Sequence, residues 1–266
     1  MTTQAPHDVG KGHPHLDDSS DDELVGDLKR RSNESSPTVS VYDLDTLVAA
    51  ETANSAQPVK EYSFFSSSNH LDIFILAGAR PAKDTTPDKE AMYFVNNSMI
   101  NPNKPDVTVR AGPGKEGEIV GVCRMRFGLF TYHIGLGDPD DASTEWEDMK
   151  VHGAFKTRHW EFSMPVVEGS SKRHTFTWKR THDKTLGASP SLKNRKLIDE
   201  DTKEVVAVYL KNKVKGWKKM GKSILFKDYG PKWELMVLVT CLGLIERQRR
   251  KRRYAMTFPN SGSFGP

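Results

Sequence analysis

A mainly β domain, its antiparallel sheet closed into a barrel around one apolar helix near the C-terminus, is the fold this sequence predicts. Two observations lead there. From about Tyr62 onward the chain breaks into short runs of β-forming residues separated by turn residues. The segment Trp233 to Ile245 (WELMVLVTCLGLI) is apolar around nearly its whole circumference. Many strands and few helices suit a sandwich or a barrel, and a helix with no polar face must be covered on every side. A closed sheet does both, and leaves no unpaired edge.

The first sixty residues stand apart. They are rich in Asp, Ser, Pro, Thr and Asn with no sustained apolar periodicity, a composition that cannot offset the entropy of ordering, so residues 1–60 are expected to form a disordered acidic and polar tail. A short helix over Tyr42 to Ala50 would place Leu44, Leu47 and Val48 on one side. Ser19 and Ser20 precede Asp21, Asp22 and Glu23, a pattern that suits acid-directed phosphorylation. His7, His13 and His15 are read as part of this tail rather than as a metal site. The N-terminus MTTQAPHDVGKGHPH has no charged start followed by an apolar run, so a cytoplasmic or nuclear protein is expected, not a secreted one.

Strands are expected at Asp72 to Leu76, Met92 to Val95, Val107 to Arg110, Ile119 to Arg126, Leu129 to Ile134, His159 to Met164, His174 to Lys179, Val205 to Leu210 and Ser223 to Phe226. Gly112, Pro113, Gly114 and Gly117 supply one turn, and Asp199 to Lys203 another. In HTFTWKR, Phe176 and Trp178 share one face, the pattern of a half-buried strand. Between Gly135 and Gly153 the pattern breaks. There Thr144 with Glu147 matches a capping box, which predicts a short helix carrying Trp146 and Met149.

The terminal helix would be about 20 Å long, short of the roughly 20 residues a bilayer span requires. Glu234 in its first turn and the arginines beyond its end match the helix dipole. The domain is expected to cover residues 61–254, followed by a flexible tail at 255–266. The only two cysteines, Cys123 and Cys241, sit in apolar contexts without metal-ligand neighbours and read as small buried side chains.

Charge is distributed unevenly along the chain. Residues 171–254 carry 23 Lys and Arg against 8 Asp and Glu, whereas the remainder carries 16 against 27. The basic part calls for an anionic counterpart: nucleic acid, an anionic membrane surface or the protein's own N-terminal region. Within it, Arg247 to Arg253 (RQRRKRR) admits three readings. Arg247, Arg249, Arg250, Lys251, Arg252 and Arg253 could act as a nuclear import signal, could contact anionic lipid, or could simply solvate the end of the helix.

Several chemical motifs fail on inspection. Gly216 to Ser223 (GWKKMGKS) satisfies the phosphate-loop pattern, but its continuation ILFKDYGP reads as a strand ending at Pro231, leaving no room for the helix that pattern requires. A hairpin turn with exposed lysines is expected instead, and no nucleotide. Asp138, Asp140 and Asp141 suggest a calcium loop, yet Ser143 and Met149 occupy its glycine and closing positions. His133, His152, His159, His174 and His182 show no ligand spacing, and no serine elbow or cysteine pair is present. No catalytic residue, metal or cofactor is expected, and the reading is a non-enzymatic protein.

The strings NKPD (Asn103 to Asp106), EVVAVYL (Glu204 to Leu210), GKSILF (Gly221 to Phe226), DYG (Asp228 to Gly230) and ELMVLVTCLGLIE (Glu234 to Glu246) resemble fungal members of the tubby C-terminal-like superfamily. That superfamily also includes the LURP-one-related proteins and the phospholipid scramblases. The resemblance covers about residues 62–254. It implies a closed barrel of about twelve strands around the hydrophobic helix, and, by analogy with tubby proteins, phosphoinositide binding through surface cations. The cations offered for anionic headgroups are Lys218, Lys219, Lys222, Arg249, Arg250, Lys251, Arg252 and Arg253. The alternative is a nuclear adaptor using the basic run for import and the N-terminal tail for protein partners.

Overall fold

The computed structural model describes residues 57–69, 71–78, 86–98, 103–125, 131–154, 157–188, 191, 193–212 and 218–257, with side chains through Arg253. The expected polar tail up to residue 56, the helix expected over Tyr42 to Ala50, Ser19, Ser20, His7, His13 and His15 all lie outside these residues, as does the chain beyond Thr257.

Alternation of apolar and polar residues builds the wall. In β8 (His159–Pro165) the odd members face out while Trp160, Phe162 and Met164 are buried, and β9 (Arg173–Arg180) and β10 (Arg195–Asp199) continue the pattern with Phe176, Trp178 and Leu197. The remaining strands are β1 (Lys60–Ser66), β2 (Ile73–Ala77), β3 (Tyr93–Asn97), β4 (Val107–Ala111), β5 (Ile119–Met125), β6 (Thr131–Leu136), β7 (Glu145–His152), β11 (Val205–Lys211) and β12 (Lys219–Leu225). A single turn of helix, α1 (Pro87–Glu90), lies between β2 and β3. Each strand pairs antiparallel with the next in sequence, and β12 returns to pair with β1, so the twelve strands close a barrel.

Helix α2 (Pro231–Thr257) fills the barrel. Met236, Val237, Leu238 and Val239, four successive residues that sample the full circumference, are each 0% exposed. Close approach to the wall depends on two glycines. A Cβ on Gly121 of β5 would meet Val239 Cγ2 at 2.7 Å, and one on Gly243 of the helix would meet Cys123 Sγ at 3.0 Å. Both cysteines are free and buried, and burial pushes each thiol well above its usual range.

Polar anchors fix the helix within the lumen. At its start, buried Glu234 accepts hydrogen bonds from Tyr62 and Lys60 of β1. Midway, the indole N–H of Trp178 donates to Thr240 Oγ1 at 3.0 Å, while the threonine hydroxyl donates to Met236 O at 2.8 Å. Replacing Thr240 with valine keeps the shape but orphans the buried indole donor. The expected cost is about 1–3 kcal/mol, measurable as a lower urea midpoint with an unchanged slope.

Two expectations are corrected. Glu145–His152 is strand β7, not a helix begun by Thr144 and Glu147: Trp146 is 39% exposed on the outer face while Met149 points into the core at 0%. Six residue pairs with β6 outweigh the local capping pattern. The helix also runs twelve residues beyond Ile245, so the basic run belongs to it, with no basic residue in the last turn. Glu246, placed three, four and seven positions before Arg249, Arg250 and Arg253, ties those turns together.

Candidate functional site: a basic mouth at the helix exit

Because successive strands reverse direction, the loops sort to the two ends of the barrel, and charge sorts with them. The helix starts at the end formed by residues 86–92, 112–118, 137–144, 166–172, 200–204 and 226–230. There acids dominate, among them Glu116, Glu118, Asp138, Asp140, Asp141, Glu145, Glu147, Glu168, Glu200, Asp201 and Glu204. The other end, where the helix exits, carries Lys104, Arg124, Arg158, Arg180, Lys184, Lys193, Arg195, Lys196, Lys211, Lys218, Lys219 and the basic turns of α2. Among the described residues its acids are Asp72, Asp106, Glu161, Asp183 and Glu246.

The predicted cations divide sharply by environment. Lys218, Lys251 and Arg252 are exposed at the exit end. Lys219 is half-buried at the head of β12, its ammonium 5.8 Å from the centre of the Phe65 ring. Lys222 lies in mid-strand, paired across the ladder with Ser63 and Leu210, and its ammonium meets Glu61 at 3.1 Å. Gly221 to Ser223 are thus ladder residues of β12, flanked by strands on both sides, not a turn and not a loop opening a helix. Gly216 and Trp217 lie outside the described residues.

Three cations of the helix run are held by the barrel, and Arg253 is held to the helix itself through Glu246. Arg249 donates to Leu71 O at 3.1 Å. Arg250 meets Asp106 at 2.5 Å and donates to Ser98 O at 2.7 Å; burial opposes its charge, yet the two carboxylates around it outweigh that and raise its pKa. Arg253 and Arg250 reach Glu246 Oε1 at 2.9 and 3.1 Å, and this carboxylate is only 1% exposed. Arg247 donates to the Tyr132 hydroxyl at 2.8 Å and lies 5.7 Å from the centre of the Trp160 ring.

Sequence reasoning missed the residues lining the mouth beside Arg247. Arg195, first in β10, shares the inward face with Leu197 and is 5% exposed, stacked 5.3 Å from the Trp160 ring centre and donating to Asn194 O at 3.0 Å. Arg180, last in β9, is its direct cross-strand partner. Burial, then the Arg180 charge, pulls the Arg195 guanidinium down to about 10, with Arg247 adding to the effect. The available signal was the inward phase of an arginine in a strand.

At the acidic end the fold gathers His174, Asp199 and Asp201, whose ligand-type atoms lie within 4.8 Å of one another. The buried Asp199 carboxylate binds His174 Nδ1 at 2.9 Å, the Tyr229 hydroxyl at 3.0 Å and the Asp201 N–H at 2.9 Å, while Asp201 accepts from Thr175 N at 3.0 Å. The group is a hydrogen-bond knot closing the β10–β11 turn, with each carboxylate engaged by the protein itself. The Asp138 to Asp141 segment likewise caps its own turn through Asp140 N and Ser143 N.

Comparison with protein-family models, with curated proteins and with solved structures gave no match to this chain.

Proposed function

We propose that the protein is a non-enzymatic binding module whose basic end docks on anionic membrane lipid, with phosphoinositide headgroups as the preferred class. The observation that carries this reading is the sorting of charge by strand direction. A chain of net charge +4 presents a strongly cationic face at one end and an acidic face at the other, which orients it toward a negative surface. Its tubby-like sequence features point the same way. No helix among the described residues is long and apolar enough to cross a membrane, so attachment would be peripheral.

Lys104, Lys184, Lys218, Lys251 and Arg252 form the outer contact, since these side chains are exposed at that end. Import through the helix run has less support, because Arg247, Arg249 and Arg250 are engaged with the barrel and Arg253 with Glu246 within a continuous helix.

Vesicle flotation at physiological salt tests the proposal. Recovery is expected with phosphoinositide-bearing vesicles and not with neutral phosphatidylcholine. Replacing Lys251 and Arg252 together with alanine should weaken recovery roughly 30-fold, at about 1 kcal/mol per cation. Equal recovery on both vesicle types, or none on either, would sink it.

A further inference from the structure

We infer that Leu71, carried by the β1–β2 loop, inserts into the acyl boundary of the anionic membrane on which the basic end docks. The inference rests on that docking reading and adds to it an apolar contact that headgroup recognition alone does not require.

The β1–β2 loop opens at the helix-exit end, and its polar groups fix one backbone shape. Asn69 Oδ1 accepts from the N–H of Leu71 at 2.8 Å and of Asp72 at 3.1 Å, and Ser67 N donates to Asp72 O at 3.0 Å. The buried Asp72 side chain accepts from Asn69 Nδ2 and Asn96 Nδ2, each at 2.8 Å. Strand β3 and helix α2 both hold the Leu71 carbonyl, through Asn97 Nδ2 at 2.5 Å and Arg249 Nη1 at 3.1 Å. All of these bonds act on the backbone or on polar neighbours, and the Leu71 side chain is left 39% exposed. A side chain carried on a clamped loop has little ordering entropy left to lose when it binds.

Cations surround this loop. At its base, Ser66 N donates to Lys218 O at 2.7 Å. Arg252 stands three residues, nearly one turn, beyond the Arg249 that holds Leu71. Lys104 lies in the β3–β4 loop, whose Ser98 carbonyl binds Arg250 at 2.7 Å. Lys104, Lys218 and Arg252 are exposed.

A single exposed leucine is ordinary on a protein surface; its placement is what separates this one. Among the described residues the exposed large apolar side chains are Val59, Leu71, Met92, Trp146 and Val167. Val59, Met92 and Val167 lie at or beside the acidic end, and Trp146 lies on the outer wall near the start of β7. Leu71 alone lies at the cationic end. An apolar tip within a ring of cations matches the layering of an anionic bilayer, with charge at the surface and hydrocarbon just beneath it. The two contacts also differ in kind: salt screens the cations, whereas apolar burial is not a charge effect. Phosphates of nucleic acid would satisfy the cations and offer the leucine no such depth.

The test uses the full chain with Leu71→Cys carrying an environment-sensitive fluorophore; Cys123 and Cys241 are buried and do not compete for the label. On phosphatidylcholine vesicles bearing phosphatidylinositol bisphosphate, emission should shift to the blue and be quenched by acyl-brominated lipid. The same label at Met92→Cys, a site 42% exposed at the acidic end, should not shift. In unlabelled protein, Leu71→Ala should weaken vesicle affinity roughly 10-fold. That factor should persist at raised salt, where the loss caused by the Lys251 and Arg252 double alanine variant shrinks. Leu71→Ala should melt with wild type, since the side chain is exposed, and its salt series carries the test should Leu71→Cys fail to fold. With vesicle recovery intact, no shift at position 71 or an affinity unchanged in Leu71→Ala would overturn the insertion and leave the membrane reading standing. A shift at position 92 in place of 71, or no recovery on any vesicle, would remove both.

Discussion

Replacing Glu246 with leucine should destabilise the barrel by about 3 kcal/mol, the range found when one member of a buried ion pair is removed. The carboxylate is 1% exposed and answers the charges of Arg249, Arg250 and Arg253. Of these, Arg250 has a side chain 12% exposed and keeps Asp106, whereas Arg253 loses the acceptor that holds it to the helix. In a barrel of this size the loss corresponds to a fall in Tm of roughly 6–12 °C. Arg252→Ala, on the exposed face of the same turn, should change stability by no more than about 0.5 kcal/mol. A Glu246→Leu protein melting within a degree of wild type would show that the arginines find other compensation and that the basic turns of α2 are not anchored as described.

The same residue shows how far local pattern carries and where it stops. Trp233 to Ile245 could be read as an enclosed helix because its apolar residues leave no face for water, and nine strands were legible from β-forming runs between turn residues. The helix beyond Ile245 was not legible, since RQRRKRR has the composition of a solvated tail until Glu246 is known to be buried against it. Strand β7 was hidden for a different reason: EWEDMKVH buries only Met149 fully, so its inner face carries too weak an apolar signal, and a fortuitous Thr144–Glu147 spacing mimics a helix start. Strand β1 was missed because KEYSFFS is apolar on both faces, Phe64 inside the barrel and Phe65 outside beneath Leu76 and Ala91.

Strand β10 is the most instructive omission. RKLID has one large apolar residue at each of two positions, and its first inward position holds Arg195, where a core strand calls for an aliphatic side chain. Conflict between strand phase and residue type hid the strand. The cations predicted from the sequence lie at the helix-exit end of the barrel, apart from Lys222 in mid-strand, but the composition could not separate those that the fold itself neutralises from those facing outward.

Alkaline pH should unfold this protein cooperatively, and the effect should exceed that of any single substitution. Tyr62, Tyr132 and Tyr209 are at most 5% exposed, and burial is the first cause raising each phenol above its usual 10.0. The adjoining Glu234 adds to the effect at Tyr62, and Arg247 opposes it at Tyr132. Cys123 and Cys241 are raised from 9.0, again by burial. For such groups the neutral form is favoured in the folded state, so their contribution is fully present below the unfolded pKa and is lost as pH rises above it. Above that point the unfolded chain binds fewer protons than the native one, and stability falls by about 1.4 kcal/mol per group for each pH unit. Two thiols from about pH 9 and three phenols from about pH 10 would together remove on the order of 10 kcal/mol by about pH 11, comparable with the whole stability of a typical domain. Urea midpoints should therefore drop steeply between about pH 9 and 11, and most tyrosinate absorbance should appear together with loss of the far-ultraviolet β signal. Complete ionisation of the seven tyrosines near pH 10 with that signal intact would mean that the interior is open to solvent, and would remove the sealed, helix-filled barrel on which the mouth depends.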